Sequence, residues 1–367
     1  MKIESIAVYQ IDLPLVEGRY SWADGKFVEK FDSTIVEIRT DQEAVGLGEV
    51  CPLGPFYLPA FGTGARAGIE EIAPGLIGLV PTEIMKIKRH MDSALLGHPY
   101  VKSCIDMACW DLLGKETGKP LWALLGGKFG DSIQLYRAIS QESPNEMAHK
   151  VAKYREEGYQ KFQLKVGSSP EEDIERIHTV RSLLDRDEVL VADANTGWTA
   201  PEALRVANAV SSLDIFIEQP CASYQKCVSV RDRISTPFIL DETIDGLEIL
   251  LRAHNDRAMD VINLKISKVG GITVACQIRD LCVSLGIPMT IEDSWGGDII
   301  TAAIAHLAHS TPEEFRFSST DFNSYSPISN AFGAPVRDNG MMTASDKPGL
   351  GVTLNKDIVG EPVAIYS

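Results

Sequence analysis

Apolar and polar residues alternate with a period of two along Ile3 to Leu13, Ser33 to Thr40 and Val45 to Val50, which predicts antiparallel strands with a turn at Asp41-Gln42-Glu43. The stretch between the first two, Gly18 to Lys30, is polar and glycine-containing. It carries Tyr20, Trp22 and Phe27, so it predicts a loop packed on another part of the molecule. A second loop, Cys51 to Gly64, is rich in proline and glycine and holds Phe56, Tyr57 and Phe61. Helical spacing follows at about Ala65 to Ile77, Thr82 to Leu96 and Val101 to Thr117. The rhythm changes near Gly126-Gly127, which sets the expected boundary of a first α+β unit over residues 1–127.

From residue 133 onward, short β-branched runs alternate with amphipathic helical stretches. The predicted strands are Gln134 to Ile139, Lys161 to Val166, Val189 to Asp193, Ile215 to Glu218, Phe238 to Asp241, Val261 to Lys265, Met289 to Asp293 and Phe315 to Ser319. Eight strands separated by single helices form the (β/α)8 pattern. A doubly wound open sheet would need a glycine-rich dinucleotide loop after its first strand. None is present: Gly126-Gly127 and Gly296-Gly297 are too sparse, and Gly167-Ser168-Ser169 reads as a βα turn. Beyond Tyr325 the pattern reverts to turns and short strands, including Met341 to Thr343 and Gly351 to Leu354, which either cap the barrel or return to the first sheet.

Polar residues at the strand ends carry the functional reading. Lys165, Asp193, Glu218, Asp241, Lys265 and Asp293 follow one another at intervals of 28, 25, 23, 24 and 28 residues, each at the C-terminal end of an apolar strand. One βα unit has about that length, so the six side chains converge on one rim of the barrel, the face where barrel enzymes build their sites. A single charge there is commonly just the first solvated residue, but six in register are not explained that way. Asp193, Glu218 and Asp241 would repel one another in an enclosed site unless a cation compensated them. Ligation by oxygen alone favours Mg²⁺ or Mn²⁺ over zinc. Asn195 is placed to support a ligand by hydrogen bonding, and Glu242 is either a metal neighbour or a lysine's ion-pair partner. The lysines flank the triad. An ammonium near a metal and another cation is pushed toward the neutral amine, a usable base. A substrate carboxylate on the metal would then have one lysine on each side of its α-carbon, with the metal stabilising the enediolate formed on loss of the proton.

Composition narrows the classes. At 367 residues and 44% hydrophobic, the chain can fill a large core and a smaller one. The net charge of −16 argues against a nucleic-acid surface. The longest apolar stretches, such as Ile72 to Val80, are broken by glycine and proline, so no membrane span is expected, and the start lacks signal-peptide features. A cytoplasmic location is expected. The seven cysteines are odd in number and mostly sit in apolar segments, which predicts buried thiols; Cys51 alone stands in a loop that reaches toward the rim. No Cys-x-x-Cys pair or histidine spacing suggests zinc.

The segments Val191-Ala192-Asp193-Ala194-Asn195, Ile217-Glu218-Gln219-Pro220, Leu240-Asp241-Glu242 and Asn263-Leu264-Lys265 together resemble the enolase superfamily, in its mandelate racemase and muconate lactonizing branch. The resemblance covers nearly the whole chain. It implies an α/β protein: an N-terminal α+β capping domain over 1–127, a (β/α)7β modified TIM barrel over 128–325, and a C-terminal segment, 326–367, that returns to complete the cap. It also implies homo-oligomers, such as dimers or octamers. The family's Lys-x-Lys appears as Gln163-Leu164-Lys165, with Gln163 bringing a hydrogen bond but no charge. That departure makes muconate cycloisomerisation and acyl-amino-acid racemisation less comfortable assignments.

A nearer likeness, to members acting on proline derivatives, rests on Cys51 to Pro55, Gly97 to Tyr100, Leu135 to Gln141, Phe162 to Gly167, Glu292 to Asp298 and Thr320 to Tyr325. It implies a hydro-lyase acting on a small cyclic amino acid, cis-3-hydroxy-L-proline, in amino-acid catabolism. In that substrate the α-hydrogen and the hydroxyl lie on opposite ring faces, so Lys165 would remove the proton and Lys265 would protonate the departing hydroxyl. The implied metal ligands are Asp193, Glu218 and Asp241. Gln163, Asn195, Tyr57, Asp293, Trp295 and Asp321 are candidates for binding or supporting the substrate, with Tyr20, Trp22 and Phe56 as loop candidates for closing the pocket. Trp295 is a candidate to cover the ring ammonium by cation–π contact, or else a core residue. The alternatives are 2-epimerisation of proline betaine or hydroxyproline betaine and, from another class, a non-catalytic metabolite-binding protein. An acid-sugar dehydratase is disfavoured because no histidine occurs between Val261 and Asp293.

Overall fold

The computed structural model describes all residues, 1–367. β1 (Ile3–Pro14) pairs antiparallel with β4 (Lys30–Thr40), with Ile6 opposite Ile38 and Val8 opposite Val36; β5 (Val45–Val50) pairs on the far side of β4. The last strand of the chain, Ala364–Tyr366, adds to the free edge of β1. Both faces of this sheet are covered. Ile6, Val8, Val36 and Ile38 pack with the helices α1 (Gly62–Ile72), α2 (Ile84–Ala94) and α3 (Pro99–Thr117), while Tyr9, Ile11, Ile35 and Leu47 join the larger core that includes the barrel. Two-sided burial explains why polar alternation fades in β4. Helix α3 lies so close on β5 that a side chain at Gly46 or Gly48 would collide with the carbonyls of Ala108 and Cys104.

Residues 18–30, expected as a loop, contain a hairpin, β2 (Tyr20–Trp22) with β3 (Lys26–Val28), which turns through Asp24 at φ 59°. Strands of three residues span too little of the chain for a period of two to be legible. The expected packing holds, with Tyr20 and Trp22 buried. The predicted strand Gln134 to Ile139 is split. β6 (Ile133–Gln134) pairs with Met341–Met342 of the tail, and only β7 (Tyr136–Ile139) enters the barrel. The tail therefore does both things left open by its sequence: it contacts the barrel's entry strand and it extends the first sheet.

The barrel continues through β8 (Lys161–Lys165), β9 (Val189–Asp193), β10 (Phe216–Glu218), β11 (Phe238–Leu240), β12 (Val261–Lys265), β13 (Met289–Glu292) and β14 (Arg316–Ser319), all parallel and in sequence order. A bridge from Leu135 to Ser319 brings the two ends together. Helical segments follow the first seven strands; β14 is followed only by a short 3-10 turn, Phe322–Tyr325, which is the (β/α)7β architecture. Val191, Ile239 and Val261, with Val189, Phe216 and Phe317, fill the lower interior as an apolar plug. The next inward positions above it are polar.

Buried acids fasten the two halves. Glu49 of β5 accepts from Ser33 Oγ (2.7 Å), Gly297 N (2.9 Å), Ile300 N (3.1 Å) and Asn330 Nδ2 (3.0 Å), placing its charge at the N-terminus of barrel helix Asp298–His309. Asp106 of α3 accepts from Thr273 N (3.0 Å) at the start of helix Ile272–Leu285. No helix is long and apolar enough to cross a membrane.

Candidate active site

The parallel register sets the ends of the strands at one level: Lys165 lies opposite Asp193, Asp193 opposite Glu218, and Lys265 opposite Glu292. Asp241 directly follows β11. In the eight-strand cycle β8 and β12 are four positions apart in either direction, so Lys165 and Lys265 stand on opposite walls. Between them lies a cavity of about 20 Å³ lined by Tyr20, Tyr57, Tyr136, Gln163, Glu292 and Trp295 together with both lysines. A water-sized space cannot admit a five-membered ring until covering side chains move.

Lys165 Nζ donates to Asp193 Oδ2. Across the cavity, Lys265 Nζ lies 2.9 Å from Asp241 Oδ2 and 3.5 Å from Glu292 Oε1, and donates to the Tyr57 hydroxyl at 2.7 Å; that hydroxyl donates in turn to Asp241 Oδ2 at 2.9 Å. Lys268 holds the other oxygen, Asp241 Oδ1, at 3.0 Å. Glu218 is held by neutral donors, Gln163 Nε2 at 3.0 and 3.2 Å and Asn263 Nδ2 at 2.7 Å. Asn195, at φ 40°, donates its amide N–H to Asp193 Oδ1 (2.9 Å) and its side chain to Glu242 Oε1 (3.0 Å).

The electrostatics follow from burial among these partners. Burial alone pushes the Lys165 ammonium down, but Asp193, Tyr20 and Glu218 reverse this and hold it above its ordinary value. At Lys265 burial again works downward, and Asp241, Glu292 and Glu242 carry it well above the ordinary range. Each lysine rests on a carboxylate, which favours its ammonium form. Burial, then the charges of Asp193 and Asp241, push Glu218 well up. Burial would raise Asp241 as well, but Lys265 and Lys268 overcome it and leave that carboxyl below its usual range. Glu242 rises to about 8 through burial and its acidic neighbours.

The remaining candidate residues divide between the cavity wall and positions behind it. Asp293 lines the cavity, yet both its oxygens accept from neighbouring groups, Ser267 N (2.9 Å), Ser267 Oγ and Ser294 N (2.6 Å), so it ties the end of β13 to the short helix Ile266–Val269. The acid that faces Lys265 is Glu292, one residue earlier. Asp321 is buried against the Tyr159 hydroxyl (3.0 and 3.2 Å) and is absent from the cavity wall. Trp295 is on that wall, but its ring is already stacked on Phe31 (4.1 Å between centroids) and Phe322 (4.9 Å) and is 3% exposed. It is a packed aromatic hub rather than an open platform. Of the loop candidates, Tyr20 and Tyr57 reach the cavity; Trp22 stacks behind them on Phe56 at 5.7 Å, and Phe56 is largely exposed. Cys51 is fully buried, with its thiol pushed well up by burial, the surroundings of a structural thiol, and it is absent from the cavity wall.

As the side chains stand, no three histidine, cysteine or acidic groups are gathered to hold a metal ion. Asp193 and Asp241 are engaged by lysines and Glu218 by amides. The donor chemistry nevertheless fits a hard divalent cation. Three buried carboxylates end or follow consecutive strands with no nitrogen or sulfur ligand among them, and five buried acids (Asp193, Glu218, Asp241, Glu292 and Asp293) face three ammoniums (Lys165, Lys265 and Lys268). An excess of buried negative charge calls for an added cation.

Comparison with known proteins agrees with this frame. Residues 26–126 match the mandelate racemase / muconate lactonizing enzyme N-terminal domain, and residues 146–358 match the enolase C-terminal domain-like family. The chain belongs to the enolase superfamily, in its mandelate racemase and muconate lactonizing enzyme branch. Among its relatives is the cis-3-hydroxy-L-proline dehydratase of Roseibium aggregatum, 62% identical over 367 residues and the full length of both chains. The N-succinyl-L-Arg/Lys racemase of Bacillus cereus is 28% identical over 98% of each chain. A crystal structure of a mandelate racemase/muconate lactonizing enzyme from Roseovarius nubinhibens superposes with a TM-score of 0.97 at 41% identity, covering 100% of this chain and 98% of that one. An enolase-superfamily member from the same organism, solved in complex with magnesium, superposes with a TM-score of 0.93 at 39% identity, covering 100% and 99%.

Proposed function

We propose that this protein is a divalent-metal-dependent hydro-lyase that converts cis-3-hydroxy-L-proline to Δ1-pyrroline-2-carboxylate. The observation that carries the reading is the pair of lysines on diametrically opposed strands, facing one cavity from two sides. The full-length likeness to a dehydratase of that substrate supports it.

Asp193, Glu218 and Asp241 are the residues that would hold Mg²⁺ or, equally by chemistry, Mn²⁺. The cation would supply the positive charge that stabilises the substrate carboxylate as it gains electron density, and Asp193, committed as one of its ligands, would no longer serve as the counter-ion of Lys165. Lys165 Nζ, then a buried amine without its counter-ion, takes the α-proton. Lys265, which keeps Glu292 beside it and Tyr57 on its hydroxyl contact, gives a proton to the 3-hydroxyl on the opposite face. The C–H and C–O bonds break, a C2=C3 double bond forms and water leaves. The enamine then tautomerises to the pyrroline. Gln163 and Asn263 hold Glu218 without adding charge, and Asn195 orients Asp193 through its N–H. Tyr20 and Tyr57 close the cavity and exclude water. The protein is also read as a homo-oligomer of the cytoplasm.

A second reading, 2-epimerisation of a betaine, uses the same two lysines. It is less well served because a quaternary ammonium needs an accessible aromatic face, and Trp295 is occupied by its own aromatic partners. Incubation with cis-3-hydroxy-L-proline, trans-3-hydroxy-L-proline and proline betaine in D₂O with Mg²⁺, followed by NMR, separates the two. Pyrroline carboxylate from the cis isomer alone is expected. An α-deuterated betaine without elimination would overturn dehydration.

A further inference from the structure

Only two carboxylates line the cavity between the lysines, Glu292 and Asp293. Both oxygens of Asp293 already accept hydrogen bonds from Ser267 and Ser294. Glu292 differs. Its Oε2 accepts from the Tyr136 hydroxyl, which fixes the carboxylate from β7, two strands round the barrel, while Oε1 is buried and has no hydrogen-bond partner. The nearest cation to Oε1, Lys265 Nζ, is 3.5 Å away and directs its bonds to Asp241 and Tyr57 instead. Glu242 also has a free oxygen, but it lines a separate crevice with Asp245, Lys268 and Pro99. A buried carboxylate oxygen without a donor is costly, and its presence on a cavity wall points to a donor brought by the ligand.

An α-amino acid whose α-carbon lies between the two lysines must bring its nitrogen into the same cavity, one bond from that carbon. Leu53, Ala138, Trp295 and Phe322 on the wall suit ring carbons, and its remaining polar groups, Tyr20, Tyr57, Gln163 and Ser294, carry no negative charge to set against an ammonium. A buried ammonium needs an acceptor carrying the opposite charge. We infer that Glu292 is the specificity-determining counter-ion for the ring ammonium of the substrate, with Oε1 accepting one of its N–H groups. Tyr136 is the positioning residue that holds Oε1 in place. This rests on the dehydratase reading for the location of the α-carbon and adds a rule of selection: the site accepts ring nitrogens that keep an N–H and rejects fully substituted ones.

The test compares two ligands of one shape on the magnesium-loaded protein, L-proline and (S)-tetrahydrofuran-2-carboxylate, which places an ether oxygen where proline has its ammonium. Binding is measured by calorimetry for wild type and Glu292→Gln, with turnover of cis-3-hydroxy-L-proline followed in parallel. Wild type is expected to bind proline about ten- to a hundredfold more tightly than the ether, the worth of one charge-assisted hydrogen bond, and Glu292→Gln to bring the two within about threefold. A merely structural role would weaken both ligands alike and leave their ratio unchanged. Should Glu292→Gln fail to fold, Glu292→Asp, which withdraws the charge by one carbon, is expected to cut the ratio about tenfold. A wild-type ratio near one, or a ratio retained in the variants, overturns the inference. Absence of turnover in wild type strikes the dehydratase reading instead, whatever the ratio.

Discussion

The two sides of the cavity are built from the same parts in different proportion. Lys165, on β8, rests on a single carboxylate, Asp193, with the Tyr20 phenol nearby. Lys265, on β12, has Asp241, Glu292 and the Tyr57 hydroxyl around it. With Asp193 and Asp241 both committed to the cation, Lys165 would keep no contacting acid and be released toward the amine, whereas Lys265 would keep Glu292 and the Tyr57 hydroxyl beside it and stay an ammonium. On the proposed mechanism this asymmetry is what assigns Lys165 as base and Lys265 as acid, an assignment that two lysines in a sequence do not make by themselves.

The harshest way to break the comparison is to remove the metal. EDTA is expected to abolish both turnover and α-proton exchange, and Mg²⁺ or Mn²⁺ to restore both, read by NMR in D₂O; exchange that survives chelation would mean that Lys165 becomes a base without help. Next in size, Lys165→Ala is expected to lower exchange and dehydration together by roughly a thousandfold, since nothing else on its wall can accept the proton. The milder Tyr57→Phe removes the hydroxyl that joins Lys265 to Asp241. It is expected to reduce kcat for dehydration about tenfold while leaving exchange nearly intact. Tyr20→Phe, on the opposite wall, should show the smallest effect, within about threefold, and should weigh on exchange rather than elimination. Equal effects of the two tyrosine variants on both readouts would dissolve the distinction between the sides.

The convergence of the strand-end residues on one rim was legible in the sequence, for a physical reason. A parallel barrel repeats one βα unit, so strand-end residues recur at nearly constant spacing, and Lys165, Asp193, Glu218, Asp241 and Lys265 stand out. At the seventh strand two acids are adjacent, and the spacing of 28 residues from Lys265 singles out Asp293 but passes over Glu292, which lines the same cavity. Strand parity held the signal for Glu292: in Met289-Thr290-Ile291-Glu292 the apolar residues alternate with Thr290 and Glu292, as Ile262 and Leu264 alternate with Asn263 and Lys265. The role of Asn263 on Glu218 was readable by that rule too. The pairing of Lys265 with Tyr57, 208 residues apart, was not, because local pattern carries no information on which loop descends over which strand. Nor was the displacement of Asp321, whose partner Tyr159 belongs to a different βα unit. The short hairpin that delivers Tyr20 is too brief to leave a period.

The most direct test of the central claim, a base on the Lys165 wall and an acid on the Lys265 wall, is α-proton exchange of cis-3-hydroxy-L-proline in D₂O by the Lys265→Ala variant with Mg²⁺. The account predicts deuterium at the α-carbon of unreacted substrate with no pyrroline formed. Loss of exchange in Lys265→Ala together with its survival in Lys165→Ala would contradict it and reverse the two faces.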